Sequence, residues 1–446
     1  MAHRQTLSPA LCGLAALVLA VTGARAAEDP AELRRQVQAL QQQNAALQEQ
    51  LRQQQEAMSS LARRLAVVEE TSRLTRPEPS AAATVDATAP APKTGSGFHL
   101  GNVHISGEGG VAFLHTQPEG MFPNAEFRVE EAKLFVEAPV WENVYFFAEL
   151  NLATREYDDL ELRLGELSVD FENVSQLWGR DRQLNVRAGR MDIPFGEEYH
   201  ERDAIDNPLI SHSLSDLWGV DEGVELYGTI GRFGYAVAVQ NGGVSGTRDY
   251  TGDKSVACRL AFDPASWLHL SVSAMRTGDL DAMDDFLSEM WFGNGWFRSI
   301  GGMNTTEFNA NLVEGDIAAR WPRGHLKAFG GCVRYDDNDP DANNQRDLFY
   351  YSVEAMQRVT PKFYAAARFS QIFADDGYPL VGHGEFHEYF FEELTAELWR
   401  LSLGLGWRFS DNLLFKTEYT IEGGEEPGGE RRERVNFFAA EVAFRF

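Results

Sequence analysis

Past its first thirty residues the chain has no uncharged apolar run approaching the roughly 18 residues that a membrane-crossing helix requires, which excludes a bundle of such helices. Cysteine is almost absent, with three in 446 residues: Cys12, Cys258 and Cys332. Cys12 lies inside an N-terminal apolar stretch instead of after it, which argues against a lipid anchor on that thiol. The other two are too few for a disulfide framework and read as unpaired thiols. Positive charge is also scarce. There are 40 Lys and Arg against 67 Asp and Glu, a formal net charge of -27, so the basic footprint that nucleic acid demands is missing and no nucleic-acid partner is expected. The ten histidines show no His-Glu-x-x-His spacing and the cysteines no Cys-x-x-Cys, so neither a metal nor a cofactor is expected.

What is present begins with His3 and Arg4, an Ala/Leu/Val-rich run from Leu11 to Val21, and Ala24-Arg25-Ala26. That order of charge, apolar core and small residues is a secretory signal over residues 1–26, with a mature start near Ala27. Residues 27–74 carry a heptad seam: Leu33, Val37, Leu40, Asn44, Leu47, Leu51, Gln54, Met58, Leu61, Leu65 and Val68 alternate at four and three residues, with helix formers between them. An isolated helix would leave this stripe wet, so self-association as a periplasmic α-helical coiled coil is expected, with Asn44 at an a position fixing register. Residues 75–97, with Pro77, Pro79, Pro90 and Pro92 among Ala and Thr, form a Pro/Ala-rich linker.

From Phe98 to Phe446 the period changes to two. Trp399, Leu401, Leu403, Leu405, Trp407 and Phe409 share one face of a strand, while Arg400, Ser402, Gly404, Gly406 and Arg408 share the other. About sixteen such segments start near Phe98, Phe127, Val144, Leu160, Gln183, Val220, Arg232, Lys254, Trp267, Thr306, His325, Gln345, Lys362, Ala396, Asn412 and Arg434. Short turns are expected at Ala138-Pro139-Val140-Trp141, Ile230-Gly231-Arg232, Asp263–Ser266, Trp321–Gly324, Val359–Pro361 and Ser410-Asp411. They alternate with long polar loops, and only the link near Asn173 to Arg182 is long for its side. Alternating connection length is the mark of a transmembrane antiparallel β-barrel, and a soluble sandwich or propeller has no need of it. The fold class is therefore all-β: a barrel of about 16 strands in outer-membrane lipid, behind the coiled coil. Trp141, Trp267, Trp321 and Trp407 fit interfacial girdles. The final strand places Phe438, Ala440, Val442, Phe444 and Phe446 on one face, similar to the C-terminal signal that the barrel-assembly machinery reads.

The segment Val186-Arg187-Ala188-Gly189-Arg190-Met191-Asp192-Ile193-Pro194-Phe195-Gly196-Glu197-Glu198, followed by Trp218-Gly219-Val220-Asp221-Glu222-Gly223-Val224-Glu225-Leu226, resembles the phosphate-selective porin O and P family of outer-membrane porins. The resemblance implies a 16-stranded homotrimeric channel. It does not carry the substrate across, because the phosphate-binding members line the pore with an arginine ladder and crowd its narrowest point with lysines. Here the region from Phe98 has 30 Lys and Arg, only five of them Lys, against 58 Asp and Glu.

Between Asp192 and Gly219 the third long loop holds Asp192, Glu197, Glu198, Glu201, Asp203, Asp206 and Asp216 with one arginine, Arg202. In 16-stranded porins this loop folds into the lumen, so a charged constriction is expected there. Alternation points Lys133, Arg163, Arg187, Arg259, Arg368, Arg400, Arg408 and Lys416 inward. Glu131, Glu137, Glu149, Glu161, Glu225 and Glu418 face the same way, so neutralisation competes with an anion ladder. The expected function is a water-filled channel for passive diffusion of small hydrophilic solutes or ions. Two other classes remain: a structural tether to the cell wall through the coiled coil, and an outer-membrane hydrolase using Ser211, His212, Ser213 and Asp216.

Overall fold

In the computed structural model the described residues are 97–153, 162–217, 219–243, 249–284, 295–300 and 304–446. They all fall in the second of the chain's two compact units, Val85–Phe446. The expected signal peptide, coiled coil and nearly all of the linker lie outside them, as do Glu161 and Trp218.

Among the described residues sixteen long strands follow one another: β1 (Val103–Thr116), β2 (Glu126–Trp141), β3 (Val144–Ala153), β4 (Arg163–Phe171), β5 (Asn185–Asp192), β6 (Val220–Ile230), β7 (Phe233–Gln240), β8 (Ser255–Ala265), β9 (Leu268–Arg276), β10 (Glu307–Trp321), β11 (Gly324–Asp337), β12 (Arg346–Arg358), β13 (Phe363–Tyr378), β14 (Thr395–Ser410), β15 (Leu413–Glu425) and β16 (Val435–Arg445). Each pairs antiparallel with the next. The sheet closes where β16 pairs β1, with Phe438 opposite His115 and Val442 opposite Val111. Closure leaves no strand edge and satisfies the backbone internally, as hydrocarbon requires. Two short strands are accessories: Phe98–Leu100 folds back on Val103–Ile105, and Leu280–Asp281 pairs with Phe308 and Glu307.

The sixteen expected segments are these strands, most starting within three residues of the position read from the sequence. Three details differ. The first barrel strand begins at Val103, because Phe98–Leu100 turns back on it. The expected turn at Ala138–Trp141 is strand, and the reversal is made by Glu142 and Asn143, the latter at φ 56. Asp263, Pro264 and Ala265 of the expected turn Asp263–Ser266 are likewise strand, and Ser266 and Trp267 make the reversal beside a register shift. Pro139 lacks a ladder donor but sits at a register shift near the strand end, where the ladder is already interrupted.

Along β14, Leu403, Leu405, Trp407 and Phe409 are exposed while Arg400, Ser402, Gly404 and Gly406 are buried. The outer wall is thus apolar and the inner one polar, as in a barrel that meets lipid outside and polar groups inside. Trp141, Trp267, Trp321 and Trp407 are all exposed and lie at the end of the short turns. At the opposite end run the long connections, including L1 (117–125), L3 (193–219), L6 (338–345), L7 (379–394) and L8 (426–434).

Candidate functional site

L3 leaves β5 through Ile193, Pro194 and Phe195, and Gly196 makes the bend at φ +72. A Cβ on Gly196 would stand 2.4 Å from Glu314 Oε1, so the turn needs glycine for both conformation and space. The loop then touches β2, β8, β9, β11, β13, β14, β15 and β16 in turn through the bonds below. A segment that reaches opposite walls of a closed barrel lies in its interior. Its apolar residues are seated on the inner wall: Ile205 and Leu209 with Tyr364 and Leu414, Ile210 with Phe437, and Leu214 with the cluster around Tyr335 and Tyr350. Inward Gly404 makes room for the apex, since a Cβ there would meet Leu209 Cδ2 at 2.4 Å.

Inward side chains hold the loop by its backbone. Lys416 Nζ donates to the carbonyls of Ala204 (2.6 Å), Leu209 (2.8 Å) and Asn207 (3.3 Å), and lies 3.0 Å from Glu441. Arg368 donates to Ser211 O (2.7 Å) and Asn207 Oδ1 (3.0 Å) and pairs with Glu354. Arg400 donates to His212 O, Arg408 to Ile205 O, and Arg259 to Gly196 O. In the opposite sense, Glu418 accepts the amides of Ile210 (2.6 Å) and Ser211 (2.7 Å), and Glu131 accepts that of Ala204 (2.8 Å). Ser273 Oγ and Ser370 Oγ receive the amides of Gly196 and Leu214.

Each acidic residue of the loop has a distinct environment. Asp192 ends β5, half-buried. Glu197 lies 3.2 Å from His269 and 3.7 Å from Arg259; burial opposes its ionisation, but those neighbours outweigh burial and bring its pKa to about 2. Glu198 accepts from Ser213 N and Oγ at 2.9 and 2.5 Å; burial, then the Asp216 charge, push it up to about 7 despite Arg368. Asp216 stays well below the ordinary carboxylate range: burial resists, while Arg202 at 3.0 Å and His212 at 2.9 Å prevail. Asp203 meets Lys133 at 2.6 Å. Glu201 contacts Lys327 and lies 3.6 Å from Arg320, and Asp206 meets Arg445 at 2.5 Å. Glu201 and Asp206 are the most solvated of the ion-paired loop carboxylates, with side chains 38 % and 42 % exposed.

Of the inward cations expected from alternation, Lys133, Arg259, Arg368, Arg400, Arg408 and Lys416 gather against L3. Arg187 instead pairs with Asp170 (2.9 Å) and Glu225 (3.5 Å), and Arg163 opens β4 opposite Asn151. Arg445, Lys327 and Arg320, which also meet the loop, were not among the expected residues, although their strand parity marked them. The four serine-loop residues do not assemble a triad. Ser211 Oγ donates to Glu418, Ser213 Oγ donates to Glu198, and His212 turns Nδ1 to Asp216 and Nε2 to the carbonyl of Arg202, so both serine hydroxyls donate to carboxylates instead of to the imidazole.

Phe438, Val442, Phe444 and Phe446 all face outward beside the closing seam. The Phe446 and Phe444 rings cover Gly107 and Gly109 of β1, where a Cβ would come within 2.6 and 3.1 Å of them.

A second loop also enters the mouth. L7 buries Leu380, Val381, His383 and Tyr389, with His383 stacked on Phe437 at 4.4 Å and its amide donating to Glu422. Arg432 of L8 donates to Leu380 O and Val381 O and lies 3.7 Å above the Tyr389 ring, and Gly384 bridges to Gly120 of L1.

This barrel is similar to that of a solved outer-membrane channel. The outer-membrane channel DcaP of Acinetobacter baumannii superposes with a TM-score of 0.53 at 12% identity, covering 79% of this chain and 100% of that one. OmpT of Vibrio cholerae aligns with a TM-score of 0.48 at 10% identity, over 79% of this chain and all of the other. At 12% identity the likeness to DcaP is one of fold. No family model and no curated protein sequence matches the chain.

Proposed function

We propose that the protein is an outer-membrane porin, a passive channel for small hydrophilic solutes and ions, weakly cation-preferring or nearly unselective. The observation that carries this reading is the fate of the inward cations. Arg259 and Lys416 are 1 % exposed, Arg400 4 % and Arg368 6 %, and all donate to the inserted loop instead of standing free as a ladder. A ladder for phosphate needs accessible guanidinium groups, because charge at the narrowest point, focused by low-dielectric walls, governs which ion passes. The resemblance to phosphate-selective porins is therefore taken for architecture and not for substrate. Apolar outer and polar inner walls support residence in outer-membrane lipid, with the Phe438–Phe446 face as the assembly signal and the Leu33–Val68 seam holding three copies together in the periplasm. The test is the reversal potential of the purified protein in a potassium chloride gradient, which should lie near zero or on the cation side. A strong chloride preference, or block of chloride current by low phosphate, overturns the reading in favour of an anion ladder.

A further inference from the structure

The fixed charges at the two ends of the barrel differ. Over the long-loop end, the stretch from Asp375 to Glu397 holds seven carboxylates and no Lys or Arg, and residues 336–347 hold five Asp against Arg346. On L7, Glu385 and Glu392 are exposed. Burial, and then the charges of Glu393, Glu433, Glu385 and Glu392, raise the proton affinity of Glu388, so these carboxylates lie within one another's field. They are not free to swing away, because Arg432, Glu422, Phe437 and the bridge to L1 fix the loop that bears them in the mouth. The short-turn end is mildly basic. Arg180, Arg182, Arg232, Arg323, Arg358 and Lys362 are exposed there against Glu142, Glu172, Asp181 and Asp411, and Arg320 beside Glu201 is 52 % exposed.

We infer that the channel, if it conducts as proposed above, is electrically polar along its axis and rectifies: L7 makes the outer mouth a cation-collecting vestibule, and the basic rim does the opposite at the inner mouth. When the loop side is positive, cations enter through the acidic mouth and anions through the basic one, so both accumulate inside and current rises. Reversed voltage draws each ion through the mouth that repels it, and the lumen is depleted. The effect requires each mouth to be comparable in width with the screening length, about 10 Å at 0.1 M salt and about 3 Å at 1 M.

The test is the current–voltage curve of the purified full chain in a planar bilayer with equal potassium chloride on both sides. The orientation is assigned by reaction of a Glu392→Cys variant with an impermeant maleimide added to one chamber. The ratio of currents at opposite polarities should exceed about 1.5 at 0.1 M, favour the loop side positive, and fall to about 1 at 1 M as screening shortens. Replacing Glu385, Glu388, Glu392 and Glu393 together with Gln should lower the ratio at 0.1 M, with conductance at 1 M showing that the pore has formed. Arg358→Gln with Lys362→Gln should lower it from the other end, and serves if the L7 variant fails to assemble. A linear curve at 0.1 M, rectification that persists at 1 M, or a ratio unmoved by either set of substitutions overturns the inference and leaves the channel standing. Absence of any conductance overturns the channel reading itself.

Discussion

Lys416→Met tests whether L3 is held as described. The substitution keeps an aliphatic stem of similar length and removes the ammonium from a site 1 % exposed, where three loop carbonyls and Glu441 converge on it. Hydrogen bonds to a charged donor contribute about 1.5–3 kcal/mol each, and removing one partner of a buried ion pair costs about 3–5 kcal/mol. These terms are not additive, because freed carbonyls can turn to water, so the loss should be about 3–5 kcal/mol and dominated by Glu441. The double variant Lys416→Met, Glu441→Gln removes the charge left behind and should recover a large part of that loss. The assay is thermal loss of β-structure in detergent at one scan rate, alongside single-channel recordings. The single variant should be the least stable of the three and its open-channel current the noisiest, since the loop apex is released. If single and parent proteins lose β-structure at the same temperature and their currents are equally quiet, the loop is not anchored through Lys416 and the reasoning fails.

Other consequences follow from single residues. Glu198, pushed up to about 7, is neutral below that pH and charged above it, so cation preference should fall as pH drops through about 7. Glu198→Gln should hold the low-pH reversal potential across pH 5–9, and a titration that survives this change assigns the effect elsewhere. Gly404→Val places a Cβ 2.4 Å from Leu209 Cδ2, so the barrel should still form while conductance changes; an unaltered conductance contradicts the seating of the apex. Phe446→Ala uncovers Gly107 at the seam and should reduce the yield of heat-modifiable, folded barrel on gels more than Phe409→Ala does. If the protein is the proposed trimer, deleting residues 27–97 should leave monomers in detergent by mass measurement, and trimers that persist would separate assembly from the heptads.

Most of the barrel was legible because its signal is local: a period of two, broken by turn residues, survives without any knowledge of partners. The misplaced turn at Ala138–Trp141 shows the limit. Pro139 sits inside that expected turn, but a strand ending at a register shift tolerates a proline, and the actual turn is made by Asn143, a residue that adopts positive φ at little cost. The loop's acidic content was visible, and its docking was not. Its anchors are distant in sequence, with Ala204 and Lys416 separated by 212 residues. Ile205, Leu209, Ile210 and Leu214 were the available sign, being apolar residues in an otherwise acidic loop that had to find an apolar surface. Alternation gave the side on which Arg368 and Arg400 lie. It could not give what each touches, and the carbonyls they hold make the difference between an anion ladder and a scaffold for the loop.

The central claim is that this barrel is an open channel despite the loops folded into it, and the measurement that meets it most directly is single-channel current of the purified full chain in a planar bilayer at 1 M potassium chloride. Discrete, long-lived steps of uniform size that persist at low voltage are the predicted result. A protein that is folded and membrane-inserted by its β-structure and heat-modifiability, yet passes no current, would contradict the account.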